Sequence, residues 1–420
     1  MAERQRRADG ELSPAGLRIL FVGHRFPPDG SGGYELHCAA VRRHLQSRGH
    51  QVRVLVSARG RAAPPEPGVH RALRWHPPGG PRLDRARAWA FEDHNRTVLD
   101  AEFDAFEPDV VCFWRLGELS LSMVERIRER GLPALGYVGD GWLHEGVERD
   151  PWTPYRARPP ALGDAATWVF NSRWLREATR AAAVAVGAAP VIAPGVDRGI
   201  FTPREAREWR GSLLYAGRLT PAKGVDDALR ALARLPGARL LMVGDATSSQ
   251  RAALRSLAAS LGVAERVAIQ PAVEPAALAV HYRAADAVLF PARWQEPFGL
   301  VPLEAMASGV PVIATATGGS AEYLAAGVNA LVVAPGDPAA LAAAVVRLAG
   351  DRALRERLRG HGLATAARHD RDEASAALEA LLRELAGVRD PEEEAEMAAG
   401  SRRSPSAEHP CLRRASSVAP

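Results

Sequence analysis

From residue 17 to residue 385 the chain alternates short apolar runs with longer amphipathic stretches. Residues 17–22 read as a buried strand, 23–33 as a turn-rich loop, and 34–48 as a helix stopped by Gly49. A second strand follows at 51–56. Strand, loop, helix and strand in that order predict a parallel sheet with crossover helices. The same alternation predicts a helix from 83 to about 106, a strand at 108–114, a helix at 119–130 and strands at 133–138 and 167–170. Ser172 opens a helix over 173–186, and 190–193 reads as the last strand of this half. Residues 61–81 are rich in Pro, Gly and Arg, and 141–163 hold several aromatics and prolines. Both read as loops.

A charged connector then runs to Arg210 and the alternation restarts. Strands are predicted at 212–216, 239–243, 267–269, 287–290, 311–314 and 330–333, with helices at 224–235, 249–261, 274–284, 338–349, 354–368 and 372–385. The expected class is α/β, with two Rossmann-like, doubly wound parallel-sheet domains facing an interdomain cleft. Residues 17–195 form the first and 196–370 the second. The polar ends, 1–16 and 388–420, are expected to be disordered. Open sheets of this kind hold ligands beyond the carboxyl ends of their strands. The unusual polar and glycine residues fall there: Gly23 to Gly33, Gly139-Asp140, Asn171, Gly195, Gly217-Arg218, Gly244-Asp245, Glu296 and Thr315 to Gly319.

A chain of 420 residues suits two cores rather than one. The net charge of +5 raises nucleic acid as a partner. The arginines, however, are spread out and alternate with acids, as in 352–359, which is the pattern of solvated helix faces, so no nucleic acid is expected. A modest attraction to anionic substrates or to an anionic membrane surface stays compatible with the charge. No apolar run reaches the length of a membrane span, and the first seven residues lack the apolar centre of a signal peptide. Cys38, Cys112 and Cys411 have no metal-ligand spacing, and a reduced cytoplasmic setting is expected. One detail is sharper: Lys223 is the only lysine of the chain.

The densest chemistry lies in Pro291–Gly309. Glu296 stands in a loop after a strand, and Glu304 stands near the first turn of a short helix with Pro302 in that turn and Gly309 at its stop. The amides of Phe298 to Val301 lie at or before the helix start, where an anion is favoured. Two carboxylates around such an end suit a sugar joined to a phosphate. Either glutamate alone reads equally well as a helix-favouring or solvated residue. Arg218 and Lys223 follow the first strand of the second half and could offset a nucleotide diphosphate; a surface ion pair is the plainer role of each. Asp29-Gly-Ser-Gly-Gly33 is no dinucleotide fingerprint, yet its glycines would let a ligand approach helix-end amides. Asp140 could hold a substrate hydroxyl or cap a turn. His24, His94 and His144 lie near cleft loops, each more often structural than catalytic. No cluster suggests a metal site.

Taken in order, these pieces resemble a retaining glycosyltransferase of the GT-B fold, in the large family 4 of nucleotide-sugar enzymes (glycosyl transferases group 1). The matching residues include Asn171-Ser172, Pro194-Gly-Val-Asp197, Gly217-Arg-Leu through Lys223-Gly224, Val243-Gly-Asp245, Ala285-Asp286, Glu296-Pro-Phe-Gly through Glu304, and Gly318-Gly319. The resemblance implies that the first domain faces the acceptor and the second holds the donor. Arg218 and Lys223 would contact the donor diphosphate, Glu304 the ribose, and Glu296 with the amides of Phe298, Gly299 and Leu300 the sugar hydroxyls. Gly32 and Gly33 would approach the diphosphate from the first domain, Gly217 and Gly244 would line the nucleotide site, and Asp140 would join Glu296, Arg218 and Lys223 as a catalytic candidate. It further implies a last helix, 371–387, crossing back to the first domain, and neither metal nor cofactor beyond the nucleoside diphosphate sugar as co-substrate.

Two departures stand out. Gly139 precedes Asp140 where many relatives carry histidine, which leaves that role unfilled or moves it to His144 or the backbone. Gly244-Asp245 lacks the usual following glycine. The expected activity is transfer of a hexose-type sugar to a hydroxyl acceptor (a saccharide, lipid carrier or small metabolite) with retention, in the cytoplasm or at the inner membrane face. Rival readings are another GT-B enzyme, an epimerase or phosphorylase, and a catalytically silent nucleotide-sugar-binding subunit. The acceptor, the base and the oligomeric state are open at this point.

Overall fold

The computed structural model describes residues 16–388, apart from 30–31, 59–64, 78–79, 81, 157, 159 and the side chains of 147–149. The two tails expected to be disordered lie almost wholly outside these residues. The first sheet contains β1 (Arg18–Val22), β2 (Gln51–Ser57), β3 (Val69–Leu73), β4 (Val110–Trp114), β5 (Ala134–Val138) and β6 (Thr167–Phe170), in the order β3-β2-β1-β4-β5-β6. The second contains β7 (Ser212–Ala216), β8 (Arg239–Val243), β9 (Val267–Gln270), β10 (Ala287–Phe290), β11 (Val312–Ala314) and β12 (Leu331–Val332), in the order β12-β11-β10-β7-β8-β9. All neighbouring strands are parallel.

The helices of the first half are α1 (Gly33–Ser47), α2 (Arg85–Phe106), α3 (Ser122–Glu129), α4 (Trp142–Arg149) and α5 (Arg173–Ala181). Those that follow are α6 (Val225–Leu232), α7 (Ser248–Ser260), α8 (Pro275–Ala284), α9 (Val301–Ala307), α10 (Pro338–Gly350), α11 (Arg352–Ala367) and α12 (Arg371–Leu385). β4 and β10 are buried at every position, as befits strands covered by helices on both faces. Each sheet reverses its strand order between two central strands, β1/β4 and β10/β7. The crevice that opens at such a reversal lies at the carboxyl ends of the strands.

The structure corrects the sequence reading in four places. Part of the segment read as a loop at 61–81 is β3, an edge strand whose Val-His-Arg-Ala-Leu carries no continuous apolar run because only Leu73 is fully buried. Part of 141–163 is α4. Its aromatic Trp142 does not interrupt the helix; it is buried and meets Trp168 edge-on at 5.9 Å, so tertiary packing forms the element. Residues 190–193 form no strand, only a single bridge from Val191 to Phe170. The helix from 173 ends at Ala181, because the next alanines are exposed and Ala183 takes a left-handed φ of 59°.

The chain passes between the halves twice, and the crossings run side by side. Val196 bridges Asp370, and Arg371 pairs with Asp197. Beyond that point α12 packs on the first half: Leu378 and Leu382 are buried with Ile19, Val41 and Leu45. Glu379 meets His44 Nε2 at 2.8 Å and His50 Nε2 at 3.1 Å. Among the described residues no helix is long and apolar enough to cross a membrane.

Candidate active site

β10 stops at Phe290, and the chain turns through residues 291–300 before α9 begins. The amides of Arg293 and Trp294 donate to the Ala222 carbonyl at 2.9 and 3.2 Å, which stitches this loop to the turn carrying Lys223. From the other side, the loop after β11 holds it. Thr315 Oγ1 donates to Ala292 O at 2.6 Å, Thr317 Oγ1 to Trp294 O at 2.8 Å, and the Gly319 amide to Glu296 O at 2.7 Å. Three strand-end loops therefore position Glu296, whose side chain is buried. Its Oε2 pairs with Lys223 Nζ and accepts from Trp294 Nε1 at 2.8 Å. The Lys223 ammonium lies 4.5 Å from the centroid of the Trp294 ring and the Arg218 guanidinium 5.8 Å. The ring's negative face favours both cations. Burial holds the Lys223 ammonium below the ordinary lysine pKa; Glu296 opposes that pull and Arg218 adds to it.

Glu304 stands in the first turn of the seven-residue α9 and opens onto the same space. Tyr282 donates its hydroxyl to Glu304 Oε2 at 2.7 Å. Burial pushes the Glu304 carboxyl up to about 7, with the Tyr282 hydroxyl acting against the rise. Gly244 has a packing reason beside any ligand role. A Cβ there would lie 1.7 Å from the Gly217 carbonyl oxygen, so its absence lets the loops after β7 and β8 meet.

The opposite wall comes from the first half. Arg115 follows β4 with a left-handed φ of 49°. Tyr34 holds it there: the Tyr34 hydroxyl accepts from the Arg115 amide at 3.0 Å and donates to Tyr137 O at 2.5 Å. The Arg115 guanidinium then meets three carboxylates, Glu118 at 3.3 Å, Asp140 at 3.4 Å and Glu35 at 3.9 Å. Asp140 Oδ1 also accepts from the Trp142 amide at 3.1 Å, at the start of α4.

The tertiary structure accounts for the Gly139 departure. A Cβ at Gly139 would lie 2.0 Å from the Tyr34 ring, so the tyrosine fills the place a side chain would need. His144 does not take over, because its Nδ1 pairs with Thr179 Oγ1 at 3.1 Å and it does not line the cavity. His24 is buried with Nε2 2.7 Å from Glu118 Oε2, and burial lowers its pKa. His94 bonds the Ala72 carbonyl at 3.0 Å, also away from the cavity.

Both walls line one cavity of about 740 Å³. It brings together Gly32, Gly33, Asp140, Gly217, Arg218, Lys223, Gly244, Glu296, Phe298, Gly299, Leu300 and Glu304. A Cβ on Gly33 would lie 3.2 Å from Leu300 Cδ1, so the two walls approach closely there. The halves also touch directly beside Glu296. Ser172 Oγ donates to Pro297 O at 2.6 Å, the Trp174 amide donates to Glu322 Oε1 at 2.7 Å, and Arg173 lies 3.4 Å from the Glu322 carboxylate. Sequence reasoning missed Tyr34, Arg115, Trp294 and Tyr282. Arg115 and Trp294 carried a signal, since each stands just beyond the carboxyl end of a predicted strand. Among the described residues no group of three His, Cys, Asp or Glu side chains gathers as metal ligands would.

A strand-end cavity between two doubly wound sheets thus brings Glu296 and Glu304 together with Arg218 and Lys223, as suits an enzyme that binds a phosphorylated ligand. Comparison with known proteins agrees. Residues 31–199 match the family described as Glycosyltransferase Family 4, and residues 201–363 match Glycosyl transferases group 1. The D-inositol 3-phosphate glycosyltransferase of Xylanimonas cellulosilytica is 32% identical over 83% of this chain and 90% of its own length. Among solved structures, the sucrose-phosphate synthase of Thermosynechococcus elongatus superposes with a TM-score of 0.71 at 21% identity, covering 88% of this chain and 99% of that one. Anabaena Alr3699/HepE, solved with UDP-glucose, gives a TM-score of 0.65 at 19% identity, covering 87% of this chain and all of its own. The chain belongs to the family 4 glycosyltransferases, glycosyl transferases group 1, and is a glycosyltransferase of the GT-B fold.

Proposed function

We propose that the protein transfers a hexose-type sugar from a nucleoside diphosphate sugar to a hydroxyl acceptor, with retention at the anomeric carbon. The observation that carries this reading is the group of Glu296, Lys223, Arg218 and Glu304 around one end of the cavity. Arg218 and Lys223 offset the donor diphosphate. Glu304 takes the ribose hydroxyls. Both contacts on Glu296 use Oε2, which leaves its other oxygen to accept from a sugar hydroxyl. The amides of Phe298, Gly299 and Leu300 donate to the sugar and its phosphate, and Gly32 and Gly33 close in from the first half.

The acceptor oxygen bonds to the anomeric carbon on the face from which the diphosphate departs. The bond from that carbon to the phosphate oxygen breaks, and the acceptor proton passes to the departing diphosphate. Arg218 and Lys223 stabilise the charge that grows on it. Asp140, on the first-half wall, orients the acceptor hydroxyl. The reaction is placed in the cytoplasm, and at the inner membrane face if the acceptor is a lipid carrier.

Thermal-shift screening against UDP-, GDP-, ADP- and TDP-sugars tests the donor half. A bound donor raises apparent stability by mass action. UDP-glucose comes first in the panel, because HepE, of the same fold, has been solved with it. A stabilising donor with no product across a broad acceptor panel would point instead to a silent binding subunit, and phosphate-dependent cleavage to a phosphorylase.

A further inference from the structure

α9 opens into the cavity through Val301 and Glu304, but its other end, at Ser308 and Gly309, lies outside it and meets two arginines. The Arg204 amide, in the charged connector, donates to the Ser308 carbonyl at 3.1 Å. Arg359 Nη2, on α11, donates to the Arg204 carbonyl at 2.6 Å. Gly309 leaves room for both: a Cβ there would lie 3.0 Å from Arg359 Nε and 3.7 Å from the Arg204 amide nitrogen. Arg204 Nε and Nη1, Arg359 Nε and Ser308 Oγ are buried without a hydrogen-bond partner. Groups left so are costly unless something pairs with them.

The protein's own acceptors here are already engaged. Asp286 Oδ1 accepts from Arg207, and its Oδ2 accepts from the Arg210 and Ser212 amides. Glu208 and Glu356 pair with Arg352, and Glu205 is exposed. The α9 carbonyls of Ala305, Met306 and Ser308 accept from backbone amides. Among the described residues neither Arg204 nor Arg359 has a carboxylate partner. Burial, with Arg207, Arg359 and Arg355 as like charges and Asp286 opposing, holds the Arg204 pKa down to about 10, so it is a cation at neutral pH.

We propose that Arg204 and Arg359, beside Ser308 and Gly309, form a second anion site that takes a phosphate group, apart from the donor cavity. Guanidinium groups match phosphate oxygens in geometry as well as charge. Both residues are half-buried, so a solute reaches them. The bound phosphate ties the connector to α9 and α11 at the end of α9 remote from Glu304.

The test uses the full chain with inorganic phosphate and with glycerol 3-phosphate, each against sodium chloride of equal ionic strength. Calorimetry measures affinity, and hydrogen exchange locates the ion. Phosphate is expected to slow exchange in 202–210 and 306–310. Arg204→Gln should abolish that protection and weaken binding there at least about tenfold, as for a lost charge-assisted hydrogen bond. Because the Arg204 side chain makes no hydrogen bond in the protein, the variant's melting temperature in chloride should equal or exceed the parent's. Tighter binding of the ester assigns the site to a phosphorylated metabolite, and tighter binding of inorganic phosphate to the free ion. No protection at 202–210 and 306–310, protection that survives Arg204→Gln, or a lower melting temperature of that variant in chloride each overturns the inference.

Discussion

Glu296 and Lys223 hold each other inside a wall of backbone contacts, and neither can be removed without leaving a buried charge. Lys223→Ala or Glu296→Ala should lower kcat by more than about 10²-fold, as expected for groups acting on transition-state charge. Turnover within a few-fold of the parent in either variant would sink the assignment. Tyr34 offers a different kind of test. Gly139→His places a side chain where the Tyr34 ring lies, and overpacking of this kind costs about 1–3 kcal/mol. The melting temperature should fall, and Tyr34→Ala in the same chain should recover part of the loss. Glu304 makes stability depend on pH. Its carboxyl titrates at about 7 in the folded chain and near 4.3 when unfolded. Between those values the unfolded state releases the proton first, so the Glu304 contribution falls as pH rises across the window. Melting curves of the unliganded protein should show that decline reduced in Glu304→Gln. At this scale Glu296, Glu304 and Lys223 were legible because their spacing and rarity set them apart. Tyr34 and Tyr282 were not, because each acts through a neighbour distant in sequence, and the stacking of Trp294 on Lys223 was not for the same reason.

α5 begins where the first half meets the loop that carries Glu296. Ser172 caps its helix, accepting from the Leu175 amide at 3.1 Å, and donates to Pro297 O at 2.6 Å. The first job was readable from the sequence; the second was not, because Pro297 lies 125 residues away. Loss of a hydrogen bond of this type costs about 1 kcal/mol. Ser172→Ala should therefore weaken donor binding roughly fivefold by calorimetry, with a smaller change in kcat. Unchanged donor affinity would show that the contact does not hold the loop. β3 and α4 escaped the sequence reading for related reasons. An edge strand needs no apolar run, and α4 draws its stability from Trp142 and Leu143 buried in the core. Neither feature is local.

The two halves share a double crossing and a helix. α12 follows the second crossing and completes the first-half core, so its sequence position hides its structural membership. Leu378 is buried there, and Leu378→Ala should cost about 2–5 kcal/mol. Hydrogen exchange should rise in α1 and β1, which share that core, before it rises in the second sheet. Uniform acceleration of both sheets would argue against that packing. By itself the sequence determined the α/β rhythm, the restart after residue 210, and the strand-end placement of the polar and glycine residues. These follow from periodicity and turn chemistry, which act over a few residues. Only the tertiary structure decided what faces what. It set Arg115 among three carboxylates, filled the space over Gly139 with Tyr34, and joined Ser172 to Pro297 across the two halves. Those outcomes depend on contacts between strand-end loops far apart in the chain, and no local pattern records them.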